Sequence, residues 1–193
     1  MRSEETDERV LEVAERMFAQ LGYDGTTIEL IEDAVGPGSQ RSELLRHGKQ
    51  ELYREVFARL FKLSEDRMRT AAEKAPDDVE GMHYLVDEFF DFVLDHPEMP
   101  ALWQQRGLLD AVDIIIPEDT YQPPLVAAMT FRQWQGVRPD LDIEFLAWVV
   151  MWSLGGFVHN GFPDESGQRR HADDPTVLQR FREQLHELVG RML

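Results

Sequence analysis

With 193 residues, 42% of them hydrophobic, the chain is long enough for a sizeable core, as one body or as a small domain fused to a larger one. Zero cysteines exclude disulfides and cysteine-ligated metal, and residues 1–9 are acidic rather than a basic leader with an apolar core, so a cytoplasmic protein is expected. A formal net charge of −17 weighs against a nucleic-acid partner unless cations are concentrated locally, because phosphate affinity comes largely from lysine and arginine releasing counterions.

Residues 7–21 predict a first helix with Val10, Ala14, Met17, Phe18 and Leu21 on one apolar stripe and Gly22 as its stop. Thr26 is placed to cap a second helix, with Glu29 reaching back and Ile28, Ile31 and Ala34 on one face. Gly36 closes that helix, Pro37 and Gly38 forbid continuation, Ser39 caps a short segment through Leu45, and Gly48 ends it. A third amphipathic helix then begins near Lys49. This is a helix-turn-helix pattern.

The residues that carry a family likeness lie in this quarter of the chain: Ala14, Phe18 and Ala19; Gly22 and Tyr23 with Thr26 and Thr27; Gly36; and Lys49 with Leu52 and Tyr53. Together they resemble the opening domain of the tetracycline-repressor-like (TetR) regulators. Counted straight from Gly36, the segment similar to the family's recognition helix is 37–46, with Ser39, Ser42, Glu43 and Arg46 where the family has lysine, leucine, tyrosine and phenylalanine. A register shifted by two puts Arg41 at the lysine and Leu44 at the core leucine and retains Arg46 and His47; it keeps a leucine beneath the helix and is preferred. Neither register restores the tyrosine.

The resemblance implies contacts with double-stranded operator DNA from Thr26, Thr27, Ser39, Gln40, Arg41, Arg46, His47 and Lys49. Thr27 and Lys49 are expected at phosphates, Gln40 and Arg41 at base edges. Arg41, Arg46, His47, Lys49 and Arg54 bunch around the second helix of the unit, whereas most acids lie on the first helix and its leading arm. An ordinary solvated helix end has the same composition.

The helix from Lys49 carries Leu52, Tyr53, Val56, Phe57, Leu60 and Phe61 and reaches about Lys74, long enough to connect a small domain to a larger one. The expected division is a helix-turn-helix DNA-binding domain over 1–53 and a helical ligand-binding and dimerisation domain over 54–193. Asp77 and Glu80 suit the next capping box, followed by Met82, Leu85, Val86, Phe89, Phe92 and Val93 as far as His96 and Pro97. Another helix carries Met99, Leu102, Trp103 and Leu109. Residues 114–116, three isoleucines against Pro117, read as a helix end or turn, and a helix from Pro123 holds Leu125, Met129, Phe131 and Trp134 until Gly136.

Residues 145–158 are uncharged and apolar on every face apart from Ser153, too short for a membrane span and therefore expected to be buried by protein. The last helix has Asp174 as its cap, Pro175 in its first turn and a stripe through Val177, Leu178, Phe181, Leu185, Leu188, Val189 and Met192, with a polar, glycine-containing loop over 163–173 before it. The chain therefore predicts an all-α fold of about nine helices. The family resemblance implies a homodimer through the last two helices, for which Trp148, Gly155, Gly156, Phe181, Leu185 and Leu188 are the candidates. It also implies a small apolar or amphipathic ligand, for which Phe89, Trp103, Arg106, Met129, Trp134, Trp152 and His159 are candidate lining residues and packing the alternative role.

His83 and Asp87, four apart, have a metal-compatible spacing, but no HExxH supports it and a surface pair is expected. No P-loop, GxGxxG or GxSxG is present, and the acidic pairs Asp77/Asp78 and Asp173/Asp174 read as caps, so no enzyme, catalytic residue, metal or cofactor is expected. The function that the resemblance implies is a ligand-responsive repressor binding operator DNA as a dimer; the competing function is a helical small-molecule or protein-binding module of the same architecture that has lost DNA binding.

Overall fold

The computed structural model describes residues 2–117 and 120–193, with residues 2–4 and Arg41 described by their backbone alone. The described chain is all-α. Its helices are α1 (Arg2–Gly25), α2 (Ile28–Val35), α3 (Glu43–Arg46), α4 (Lys49–Lys74), α5 (Val79–Asp95), α6 (Glu98–Gly107), α7 (Pro124–Thr130), α8 (Ile143–Asn160) and α9 (Pro175–Met192), with a short 3-10 turn at Ser39–Arg41. Contacts divide the chain into two compact units, Met1–Lys62 with Ala101–Tyr121, and Leu63–Pro100 with Gln122–Leu193. The divisions at 62/63 and 100/101 fall within α4 and α6.

In the first unit, Val10, Val13, Ala14, Phe18 and Ala19 are buried along α1, which packs on α2, the 3-10 turn and α3. The first half of α4 adds Leu52, Tyr53, Val56, Phe57 and Leu60. The Tyr53 ring meets Phe18 and Tyr23 edge-on, with centroids 5.0 and 5.1 Å away, a favoured aromatic geometry. Leu21, expected on the buried stripe, is exposed, because Gly22 breaks the helix directly after it with φ 72° and ψ 175°. Residues 114–116, expected as a helix end or turn, are a bend and an irregular stretch after the turn over 111–113, with Ile114 and Ile116 buried and Ile115 exposed. Leu109 lies beyond the end of α6 and is exposed rather than sharing that helix's inner face.

The second unit has one continuous core. Met82, Leu85, Val86, Phe89, Phe90, Phe92 and Val93 from α5 pack with Leu125, Val126 and Met129 from α7, Leu146, Ala147, Val150 and Leu154 from α8, and Leu185 and Val189 from α9. Helix α5 is capped by Asp78, whose carboxylate accepts from the N–H groups of Glu80 (3.0 Å) and Gly81 (3.2 Å). Asp77, the expected cap, is instead paired with Arg132. Helix α8 is not covered all round: Phe145 and Trp152 are 52% and 60% exposed, because only one face of the helix meets α5 and α7. The segment expected as a loop over 163–173 contains a two-residue antiparallel pairing, β1 (Phe162–Pro163) with β2 (Arg169–Arg170). Among the described residues, no helix is long and apolar enough to cross a membrane.

Candidate nucleic-acid interface

The entry to α2 is fixed by two neighbouring threonines with separate tasks. Thr26 is fully buried and its hydroxyl donates to the Gly22 carbonyl at 2.7 Å, so it is neither the cap nor open to a phosphate. Thr27 is the N-cap, its oxygen accepting from Leu30 N–H at 3.2 Å. The Glu29 carboxylate accepts from its own N–H and from the Thr27 hydroxyl, which holds it below the usual carboxylate range. The helix thus starts one residue later than the Thr26 cap implied, and burial falls on Ile31 and Val35 instead of Ala34.

The turn follows through Gly36 and Gly38, with φ 85° and 101°, values disfavoured by a β-carbon. Ser39 is buried in the 3-10 turn and its N–H donates to Gly36 O at 3.2 Å; it does not cap the next helix. That cap is Ser42, whose hydroxyl accepts from Leu45 N–H (3.3 Å) and donates to Asp7 on α1 (2.6 Å). Starting at Glu43 makes Leu45, not Leu44, the buried leucine beneath α3. In the straight register Ser42 stands where the family has leucine. The signal that it caps is the sequence Ser-Glu opening a short apolar run.

Gln40, Arg46 and His47 are exposed on the 3-10 turn and α3. Arg41 closes the 3-10 turn, and its side chain lies outside the described residues. Arg46 pairs with Glu43 at 2.9 Å, and Arg54 with Glu51 at 3.0 Å. Lys49 is turned inward: its Nζ donates to Tyr23 O at 2.9 Å and lies 4.0 Å from the centre of the Tyr23 ring. Burial, then the Asp113 carboxylate, push the Tyr23 phenol above its ordinary range, so the ring under Lys49 is neutral at physiological pH. The assembly is a helix, a tight turn and a short capped helix held on α1, with one short polar face outward.

No protein-family model matches the chain. It is 26% identical over 98 residues to YhgD of Bacillus subtilis (strain 168), an uncharacterized HTH-type transcriptional regulator; the match takes in 51% of this chain. It spans about half the length of that curated relative, 51%. Among solved structures it is similar to two mutants of HlyIIR. One has a segment replaced by a GSSGSSG linker (TM-score 0.56, 17% identity, 94% of this chain and 95% of that one). The other has an alanine-substituted segment (TM-score 0.51, 18% identity, 94% and 96%).

The chain has the TetR-like fold. The residues expected to line a ligand site are divided between the two units. Phe89, Met129 and Trp134 are core, the Trp134 indole donating to Met129 O at 2.7 Å. Trp103 and Arg106 belong to the first compact unit, and Trp152 and His159 are exposed on α8. The second unit instead has an open cleft of about 760 Å³, between the second half of α4 and α7, floored by Met68, Ala72, Ala128 and Phe131 and edged by Glu73 and Arg132. Arg132 donates to Ala72 O and Asp77 and lies 4.3 Å from the Phe131 ring centre. Such a cleft has no local sequence signature, because its walls are separated by about fifty residues of chain.

Of the residues expected at a dimer contact, Trp148, Gly155, Gly156 and Phe181 are half-buried, Leu185 is buried and Leu188 is exposed. Phe181 stacks on Phe157 within the unit, with centroids 3.9 Å apart. His83 faces His186 rather than a metal-ligand set, and Asp87 is taken by His186 and Arg182. Among the described residues, no group of three or more His, Cys, Asp or Glu is arranged to hold a metal ion.

Proposed function

We propose that this chain is a transcriptional regulator, a repressor, that binds double-stranded operator DNA as a homodimer and is released by a small apolar or amphipathic ligand. Residues 1–53 serve as the DNA-binding domain and 54–193 as the ligand-binding and dimerisation domain. The observation that carries the reading is the doubly capped helix-turn-helix, with Thr27 and Ser42 as caps and Gln40, Arg46 and His47 exposed. In each subunit the segment over 39–47 enters a major groove, Gln40 and Arg41 meet base edges, and Thr27 holds a phosphate. The exposed aromatic face of α8, with Leu188 of α9, supplies the contact between copies, and the cleft of the second unit takes the ligand. A ligand acts only through unequal affinity for the bound and free arrangements.

A second reading, a TetR-fold binding module without DNA affinity, is favoured by the charge of the same segment. Within Ile28–Val35, the turn and Glu43–Arg46, Arg41 and Arg46 stand against Glu29, Glu32, Asp33 and Glu43, and Lys49 is turned onto Tyr23. Fluorescence anisotropy on the duplex upstream of the protein's own gene separates the two. The regulator loses affinity steeply, by roughly 10³-fold, between about 50 and about 200 mM salt if it neutralises several phosphates. Arg41→Ala weakens binding about tenfold while the dimer persists. Absence of binding at low salt selects the second reading.

A further inference from the structure

The break at Gly22 leaves a three-residue turn, Tyr23 to Gly25, whose first N–H groups have lost the partners that an unbroken α1 would provide. Both are met by a residue distant in sequence. Asp110 accepts from Tyr23 N–H through Oδ2 at 2.6 Å and from Asp24 N–H through Oδ1 at 3.2 Å. The carboxylate therefore caps this turn as an N-cap side chain would, from a loop nearly ninety residues away in the same compact unit. Gly22 makes room for it: a β-carbon there would lie 3.2 Å from Asp110 Oδ2.

The loop that carries Asp110 is held in an uncommon backbone conformation. Leu109 and Ala111, on either side of Asp110, have φ 69° and 53°, the left-handed region that residues with a β-carbon adopt at a cost. They are held there by Arg106, whose Nη1 donates to Ala111 O (2.9 Å) and Ile114 O (3.2 Å), and by the burial of Ile114 and Ile116. On the other side of the contact, the Tyr23 carbonyl receives Lys49 Nζ, and Tyr23 to Gly25 lead directly into the buried Thr26 and the Thr27 cap of α2.

We propose that Asp110 is a positioning residue for the helix-turn-helix: its carboxylate sets the angle at which the chain leaves α1 and enters α2, and thereby the pose of the 39–47 segment. Its effect on DNA affinity rests on the regulator reading above, whereas its effect on the backbone does not. Positioning and charge give opposite signs here. Removing an acid from a protein that binds phosphates raises affinity if charge alone matters. Losing the cap lowers it.

The test uses the full-length protein with Asp110→Ala and with Asp110→Asn, which keeps one acceptor oxygen. Amide hydrogen exchange at Tyr23 and Asp24 is expected to accelerate about tenfold in the alanine variant and less in the asparagine variant, while helical content and exchange in α5, α8 and α9 stay unchanged. DNA affinity falls about fivefold in the alanine variant and is partly restored by asparagine, with the same dependence on salt as the parent because no phosphate contact is lost. Unchanged exchange at Tyr23 and Asp24 overturns the proposal, as do equal and tighter DNA binding by both variants. If the parent binds no duplex, the regulator reading fails and the exchange measurement alone decides the cap.

Discussion

Where α5 meets α9, two imidazoles are joined by a hydrogen bond. The His186 Nε2 lies 2.9 Å from Asp87 Oδ1 and its Nδ1 lies 2.7 Å from His83 Nδ1. With both rings neutral, the carboxylate keeps the His186 proton on Nε2, so His83 must donate from Nδ1. Arg182 joins the cluster through Asp87 at 3.0 Å and through Asp91. Burial, then the neighbouring His186, lower the His83 pKa below the ordinary 6.5. A base depressed in the folded state stabilises the fold fully above its ordinary value, and that contribution is lost as pH falls through the folded one. The melting temperature is therefore expected to drop between about pH 7.5 and about pH 5.5, and to drop less in His83→Gln, whose amide still donates but does not titrate. An equal drop in both proteins would place the acid sensitivity elsewhere. Single residues were also where the sequence was hardest to read. Thr26/Thr27 and Asp77/Asp78 each offer two caps in a row, and the choice is made by partners the sequence does not display locally, Gly22 O for Thr26 and Arg132 for Asp77. Asp174, where the N-cap was expected, does cap α9, accepting from Thr176 N–H at 2.9 Å.

Among the elements, those with long periodic stripes were legible and those defined by their neighbours were not. Helices α4, α5 and α9 match the expected spans closely, because apolar residues recur every third or fourth position over several turns. Uniform apolarity in α8 gave no such direction, and only packing reveals which side is covered. The hairpin before α9 was hidden for another reason: its two-residue strands are too short for alternation, and its turn is gathered around one carboxylate. Asp164 accepts from the Ser166 hydroxyl (2.6 Å), from Arg170 Nε (2.8 Å) and from the N–H groups of Ser166 (2.9 Å) and Gln168 (3.0 Å). Ser166 foremost, with Arg170 and these N–H groups, holds its carboxyl at about 2, below the ordinary 3.8. The hairpin's stabilisation from this group is thus present above the ordinary value and fades only as pH falls toward about 2. Asp164→Ala should open the turn and speed tryptic cleavage after Arg169 and Arg170 about tenfold, whereas cleavage at parental rate would show that the strand pairing holds the hairpin without it.

For the whole molecule, the fold class was written in the chain and the grouping of its parts was not. An all-α TetR-like fold follows from helix after helix punctuated by proline, with the motif residues from Ala14 to Tyr53 marking its first quarter. That residues 101–121 belong to the same compact unit as α1 could not be read, because the bonds that tie them, from Asp110 to the Tyr23 and Asp24 N–H groups, end on backbone that carries no sequence pattern. A chain of net charge −17 repels its own copies, so pairing needs apolar area to offset that repulsion. On the proposed dimer, Trp152→Arg places a cation in the centre of the aromatic face and is expected to weaken self-association at least tenfold, to about the monomer at micromolar concentration by sedimentation. Retention of the parental assembly would assign the contact to another surface.

Trp148 and Trp152 lie 5.8 Å apart on α8, the latter largely in solvent, while Trp134 is sealed in the core. The exposed indole ring makes the molecule its own optical probe: when another surface covers this helix, the red-shifted part of the emission moves to shorter wavelength and becomes harder to quench with iodide. Assembly can thus be followed by light alone, with no dye attached.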